Sequence, residues 1–438
     1  MLGESPDSGP DPVDTFEDQA RATGLTLPKR RPTRLWEVGA IVAAVIVVSV
    51  GIGVATGWMN LKPASEGPPG LIGTGSCSNQ AGQRVALMGT TSQDADPLLS
   101  SSLQELTGRF TAAYGSCVRI AYTSPNASAG LGAMADHEAD FAVLQAQPSA
   151  AVLAELPQAS YVIPIGVSSV SVVYNLPGVT LPLHLNGSIL AQMYSGGLTA
   201  WNAPAIRAAN PGVELPSGLA IVPIHRSDPA PINAAFTGYL ANSSASWNNT
   251  VGQGAQVSWP AGPGDVGEAG VASAVANVSG AISYVATGSS LPATVATAEL
   301  EDPSGSFVAS TPTTVAAAAD ASFNATAAGA SNWTGISLLN AAGNDSYPLS
   351  YLVYLVVYQD LGVSFGGNLT LLDSQWEMTF LWWVVTDGGY VTAPLGFDQL
   401  PTAVVAPAQT VMEKVNFNGK SVLESTEAGE SGGETGEF

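Results

Sequence analysis

The chain is 438 residues long, 46% hydrophobic and 11% charged, with 48 glycines and 30 prolines; this much apolar content buries a sizeable core and excludes wholesale disorder. Thirteen Lys and Arg stand against 35 Asp and Glu, a formal charge of −22, so the clustered cations that nucleic-acid binding requires are missing and no nucleic-acid partner is expected. With charge this sparse, the surface draws its polarity from Ser, Thr, Asn, Gln and backbone, a composition suited to an acidic exterior where carboxylates titrate away.

Residues 1–34 are polar and rich in Pro and Asp, and are expected to form a disordered cytoplasmic tail. Residues 35–60 read as a membrane anchor: the run 38–58 carries no charge over 21 residues, enough helix to span roughly 30 Å of hydrocarbon. Trp36 and Trp58 bracket it at interfacial depth, and Lys29, Arg30, Arg31 and Arg34 precede it. By the positive-inside rule the N-terminus is cytoplasmic and the main domain extracellular or periplasmic. The competing reading is a cleaved signal peptide, whose apolar core is usually about 7–15 residues; the longer run favours a single-pass signal-anchor. Residues 61–83, with Pro63, Pro68 and Pro69, read as a linker, and the Glu- and Gly-rich stretch 424–438 as an acidic disordered tail.

Between these ends, short apolar runs alternate with helical stretches. Residues 85–88 are strand-like, and Asp94 or Asp96 can cap a helix running to about Tyr114. Residues 118–122 form a second strand, 130–138 a helix, 141–144 a buried strand, and 167–174 a longer strand ended by Pro177 and Gly178. Strand, helix and strand in this alternation predict parallel βαβ units and an α/β fold, whose ligands gather at strand C-termini and helix N-termini.

Few residues offer catalytic chemistry. His137, His184 and His225 are too dispersed for a ligand set, and no nucleophile elbow, phosphate-cradling loop or His-Glu-x-x-His motif is present, so neither an enzyme nor a cofactor is indicated. The stretch 222–240 is the most informative: an apolar strand leads into Arg226 and Asp228, then a turn and a helix. A guanidinium there can grip an oxyanion with Asp228 holding it in place, or the two can form a salt bridge that only fixes the loop. Both cysteines, Cys77 and Cys117, lie beyond the anchor, where an oxidising exterior favours a disulfide over two buried thiols. Nine Asn-X-Ser/Thr sequons (Asn126, Asn186, Asn242, Asn248, Asn277, Asn324, Asn332, Asn344 and Asn368) make a glycoprotein one expectation. Trp376, Phe380, Trp382 and Trp383 read as a buried helix face rather than a sugar platform.

Segments in a fixed order resemble the phosphate-binding proteins of bacterial and archaeal phosphate ABC importers. They include Tyr161-Val-Ile-Pro-Ile-Gly-Val, Val173-Tyr-Asn-Leu-Pro-Gly178 and the stretch from Ile189 through Trp201-Asn202. The order continues with Val251-Gly-Gln-Gly254, Val257-Ser-Trp-Pro260, Gly280-Ala-Ile-Ser-Tyr-Val285, Ser346-Tyr-Pro-Leu349 and Leu400-Pro-Thr-Ala-Val-Val405. The resemblance covers residues 84–423. It implies a two-lobed periplasmic-binding-protein fold of type II, with residues 84–174 and 347–423 as lobe one and 175–346 as lobe two. It also implies phosphate as ligand and ABC permease subunits as partners. Carried over residue by residue, the ligand set is Arg226 with Asp228, Thr90 or Thr91 (Ser92 being the third choice in that register), Ser128 beside Ala127, and Gln145 where the family has an Asp. The family's Gly-Ser-Gly-Thr loop falls on Pro229, Ala230, Pro231 and Ile232, where two N–H donors and both hydroxyls are lost.

The expected function is therefore a membrane-anchored, non-enzymatic solute-binding protein that captures phosphate or a related oxyanion between its lobes. The alternative is a binding-protein fold that has lost its ligand and serves as a cell-surface structural or interaction protein. An envelope hydrolase or sensor domain is a third class, for which no residue speaks.

Overall fold

The computed structural model describes residues 71–72, 85–91, 97–115, 118–123, 130–325, 333, 335–362, 369–388 and 396–423. The expected tail, the anchor at 38–58, Cys77, Cys117, Ser128 and the acidic C-terminal stretch lie outside the described residues. Among the described residues no helix is long and apolar enough to cross a membrane.

The chain opens with parallel strands β1 (Val85–Thr91), β2 (Val118–Thr123) and β3 (Phe141–Leu144), and helix α1 (Pro97–Tyr114) connects the first two. Pro97 starts α1 where its missing N–H costs nothing. All four residues of β3 are buried, as expected of a short apolar run in the middle of a sheet. The predicted helix at 130–138 is shorter, Leu131–Ala135, because His137 enters the left-handed region at φ 59° and ends it.

Strand β4 (Ser160–Tyr174) is the spine of the molecule. It begins seven residues before the predicted start, running through Pro164, which cannot donate to a ladder. β4 absorbs this with a bulge: Val353 and Tyr354 of the partner strand pair with Gly166 and Pro164, leaving Ile165 as the extra residue. The next elements are β5 (Val222–Pro223), β6 (His225–Arg226), β7 (Gly264–Asp265), β8 (Ala281–Ala286) and β9 (Ser350–Tyr358). The first part of β4 pairs antiparallel with β9, which in turn pairs with β3; its last residues pair antiparallel with β8, and β5 lies parallel to β8. One strand thus belongs to two α/β lobes. A second connection crosses beside it: the Tyr347 hydroxyl donates to Val170 O at 2.9 Å, and Val170 N donates to Leu349 O at 2.9 Å.

The lobe-one core is aromatic. Trp376, Phe380 and Trp383, on helix α2 (Leu371–Trp383), close around Phe110 of α1 with centroids 6.4, 5.1 and 5.7 Å away. Trp382 is buried as well, so the tryptophan cluster is a packed helix face. Within the stretch 61–83 expected to be a linker, Leu71 and Ile72 pack half-buried against the core, and Ile72 N donates to Thr379 Oγ1 at 3.0 Å. Two adjacent apolar side chains in a Gly- and Pro-rich stretch are enough to dock it.

Candidate functional site

Arg226 ends a strand that changes partner. β5 pairs with β8, but one residue later His225 N donates to Pro263 O and β6 runs parallel to β7. The switch requires Gly262: at φ 82°, a Cβ there would lie 1.6 Å from Pro223 O. Arg226 is thereby carried to the foot of helix α3 (Pro231–Ser243), and only 7% of its surface is exposed.

Its guanidinium is held from one side. Nε donates to Asp228 Oδ2 at 2.8 Å and Nη2 meets the same oxygen at 2.6 Å, while Oδ1 accepts the Gly267 N–H at 2.8 Å. Burial pushes the Asp228 carboxyl up, but the bonds from Arg226 and Gly267 and the guanidinium charge outweigh it and hold the group below its ordinary value. The backbone is fixed by a chain of bonds. Arg226 N donates to the Tyr284 hydroxyl at 3.3 Å, and that hydroxyl donates to Asn233 Oδ1 at 2.6 Å. Asn233 Nδ2 in turn donates to the carbonyls of Asp228 and Ala255, each at 2.9 Å. Beside Arg226, His225 stacks on Trp259 at 4.8 Å, and burial lowers its pKa.

A helix N-terminus presents free N–H groups to an anion, and in α3 these are nearly all committed. Ala230 N donates to Ala255 O, Pro231 has no N–H, and Asn233 N and Ala234 N turn back to Ala230 O. Ile232 carries the remaining N–H of that turn. No side chain caps the helix.

Pro231 and Ala234 of this first turn line a cavity of about 350 Å³. Gln145, two residues beyond Val143 of β3, lines the other wall with Tyr351 and Tyr354 of β9. Gln145 is 6% exposed, and its Nε2 donates to the Tyr351 hydroxyl at 3.3 Å. The cavity therefore lies between lobe one and lobe two. Thr90 and Thr91 end β1 in register with Ala142 and Val143, at the same edge of the parallel strands as Gln145. The structure thus brings Gln145 and the foot of α3 to one cavity and gathers Arg226 with Asp228 behind that foot; Ser128 is outside the described residues. Tyr284, Asn233, Tyr351 and Tyr354 were not foreseen as site residues. Tyr284 lies in the segment Gly280-Ala-Ile-Ser-Tyr-Val285, the one signal that could have found it.

Residues 78–387 match the family model described as the PBP superfamily domain. The phosphate-binding protein PstS of Pasteurella multocida is 35% identical over 189 residues, 43% of this chain and 53% of that protein. That of Haemophilus influenzae is 31% identical over 247 residues, 56% of this chain and 70% of that protein. Against the Pasteurella protein and a Xylella fastidiosa PstS the chain spans about half of the relative's length, 53% and 52%. Among solved structures, a high-affinity periplasmic phosphate-binding protein bound with phosphate aligns at TM-score 0.53 and 16% identity, covering 76% of this chain and 99% of that one. A human phosphate-binding apolipoprotein aligns at TM-score 0.54 and 15% identity, covering 77% and 99%. At such identities these two structures speak for the fold alone. With its family model matched across most of its length, and with a PstS relative covered over more than two thirds, the chain belongs to the PBP superfamily as a PstS-type protein.

Proposed function

We propose that this chain is an extracytoplasmic solute receptor that captures phosphate or a related oxyanion between its lobes and passes it to an ABC permease, tethered to the membrane by residues 38–58. The observation that carries this reading is Arg226, a buried guanidinium fixed by Asp228 at the foot of the helix whose first turn walls the interlobe cavity. The PstS relatives, named as phosphate-binding proteins, support the choice of ligand. One ion pair among amides and hydroxyls suits reversible capture rather than bond breaking. Calorimetric titration of the full-length protein with inorganic phosphate, at neutral and at acidic pH, tests the reading. Saturable one-to-one heat is expected in the wild type and none in Arg226→Ala; equal heat in both would refute it. For the tether, the expected result is retention in the membrane pellet after an alkaline wash, and release when residues 1–60 are removed.

A further inference from the structure

Three features of the cleft depart from a site built for a small, doubly charged anion. The first is charge. Arg226 is neutralised by Asp228 at contact distance, so the foot of α3 offers no net positive charge, and its first turn has a single N–H uncommitted. A dianion left with so few partners keeps most of its desolvation cost.

The second is volume. A tetrahedral oxyanion has five heavy atoms, and at a water-like share of about 30 Å³ each it fills roughly 150 Å³ at most. The cavity holds about 350 Å³, so more than half of it is left for something else. That volume sits at the lower end of pockets that take organic ligands.

The third is lining. Away from α3 the walls are uncharged and mixed: Gln147, Gln253, Ser337, Ser350 and Tyr354 offer hydrogen-bonding groups between the apolar side chains of Ile336, Leu338, Leu339 and Leu352. Tyr354 is decisive. It is 4% exposed, and its hydroxyl makes no hydrogen bond to a described residue. A buried phenol almost always finds a partner, and Tyr354 lines the cavity. Ser350 Oγ donates to Tyr347 O at 2.8 Å and so presents its own lone pairs. Walls of this kind complement hydroxyl groups, which both donate and accept.

Building on the receptor reading above, we infer that the ligand of this cleft is a small phosphate ester with a neutral, hydroxyl-bearing substituent, its phosphoryl group at the foot of α3 and its hydroxyls against Tyr354 and the amide wall. Below its second ionisation, at about pH 6, such an ester carries one charge, as the neutralised foot of α3 requires; its substituent fills the surplus space, and its hydroxyls satisfy the Tyr354 phenol.

The test compares sn-glycerol 3-phosphate with inorganic phosphate by calorimetry on the full-length protein. Both are titrated at about pH 5, below the second ionisation of a phosphate ester near 6, so that each probe carries a single charge. The ester is expected to bind at least about tenfold more tightly. Tyr354→Phe, which keeps the ring and loses only the hydroxyl, is expected to pull the ratio of the two affinities towards one. Ala234→Leu, which fills the surplus space from α3, should do the same, with thermal melting confirming that each variant is folded. Equal affinities in the wild type, or tighter phosphate, would overturn the inference and leave the receptor reading standing, provided Arg226→Ala still abolishes phosphate binding. A ratio unmoved by both variants would also overturn it. Failure of the wild type to bind either probe would overturn both.

Discussion

At the scale of single residues, the site is a small polar network whose members depend on one another. Asp228→Ala leaves a buried guanidinium without its carboxylate and the Gly267 N–H without an acceptor. Hydrogen bonds to charged groups are each worth about 1.5–3 kcal/mol, so a loss of about 3 kcal/mol in urea unfolding is expected. Asn233→Ala removes the acceptor of the Tyr284 hydroxyl and the donor to the Asp228 and Ala255 carbonyls. It should cost about 2–4 kcal/mol for the same reason, and should weaken ligand binding while leaving the Arg226 guanidinium and its ion pair with Asp228 unaltered in sequence. Arg226 and Asp228 could be read from the chain because they lie two apart, at a strand end, among few cations. Asn233 could not: its role appears only when Tyr284, 51 residues away in sequence, arrives beside it. Gln145 was reached through resemblance alone, since nothing in its own neighbourhood sets it apart from other glutamines.

At the scale of elements, close backbone approach decides what can move. Residues 396–398 lie across the crossover strand, with Asp398 exchanging backbone bonds with Val167 and the Ser168 hydroxyl donating to Gly396 O at 2.7 Å. Gly396 sits at φ 75°, and a Cβ there would fall 1.8 Å from Thr287 O, just past the end of β8. Gly396→Ala therefore combines left-handed strain with a backbone clash, each of order 1–3 kcal/mol. A loss of about 3 kcal/mol is expected, measured as a lower thermal midpoint; an unchanged midpoint would show that the segment does not pack here. The alternation of strand and helix in lobe one was legible from apolar runs bounded by turn residues. The start of β4 was obscured by Pro164, whose missing N–H is tolerated because β4 bulges at Ile165 where it meets a partner strand some 190 residues later. The split of 222–226 into two strands with different partners was hidden as well, since it depends on the space left by Gly262 and not on any property of the strand itself.

At the scale of the whole molecule, its ionisable groups fall into two opposing sets that place maximal stability on the acid side of neutrality. Glu377 of α2 is fully buried, and among the described residues neither carboxylate oxygen has a hydrogen-bond partner. Burial, and then the negative charges of Asp140 and Asp373, hold it well above the usual carboxylate range. Burial likewise pushes Asp398 up to about 6. Raised carboxyls bind protons more tightly folded than unfolded, so their contribution is complete below about pH 4 and is lost as pH rises, for Asp398 through about 6. Asp228 and Asp302 act in the opposite sense. Burial raises both, but Arg226 and Gly267 outweigh it for the first, and the Ser304 hydroxyl with the N–H groups of Ser304, Ser306 and Asp345 for the second. Their contribution is present above about pH 4 and is lost below it. The two sets leave an optimum between roughly pH 4 and 6, and the formal charge of −22 presses the same way, since acid relieves self-repulsion. Urea midpoints are therefore expected to be higher at about pH 5 than at about pH 8, with roughly 1–1.5 kcal/mol of the difference due to Asp398 alone. Glu377→Gln keeps the shape of the neutral acid and cannot ionise, so it should raise stability at about pH 8, leave it nearly unchanged at about pH 5, and flatten the slope between them. A wild-type midpoint as high at pH 8 as at pH 5, or a slope that Glu377→Gln leaves intact, would remove the buried carboxyls as the cause and leave the sparse surface charge to explain any acid tolerance.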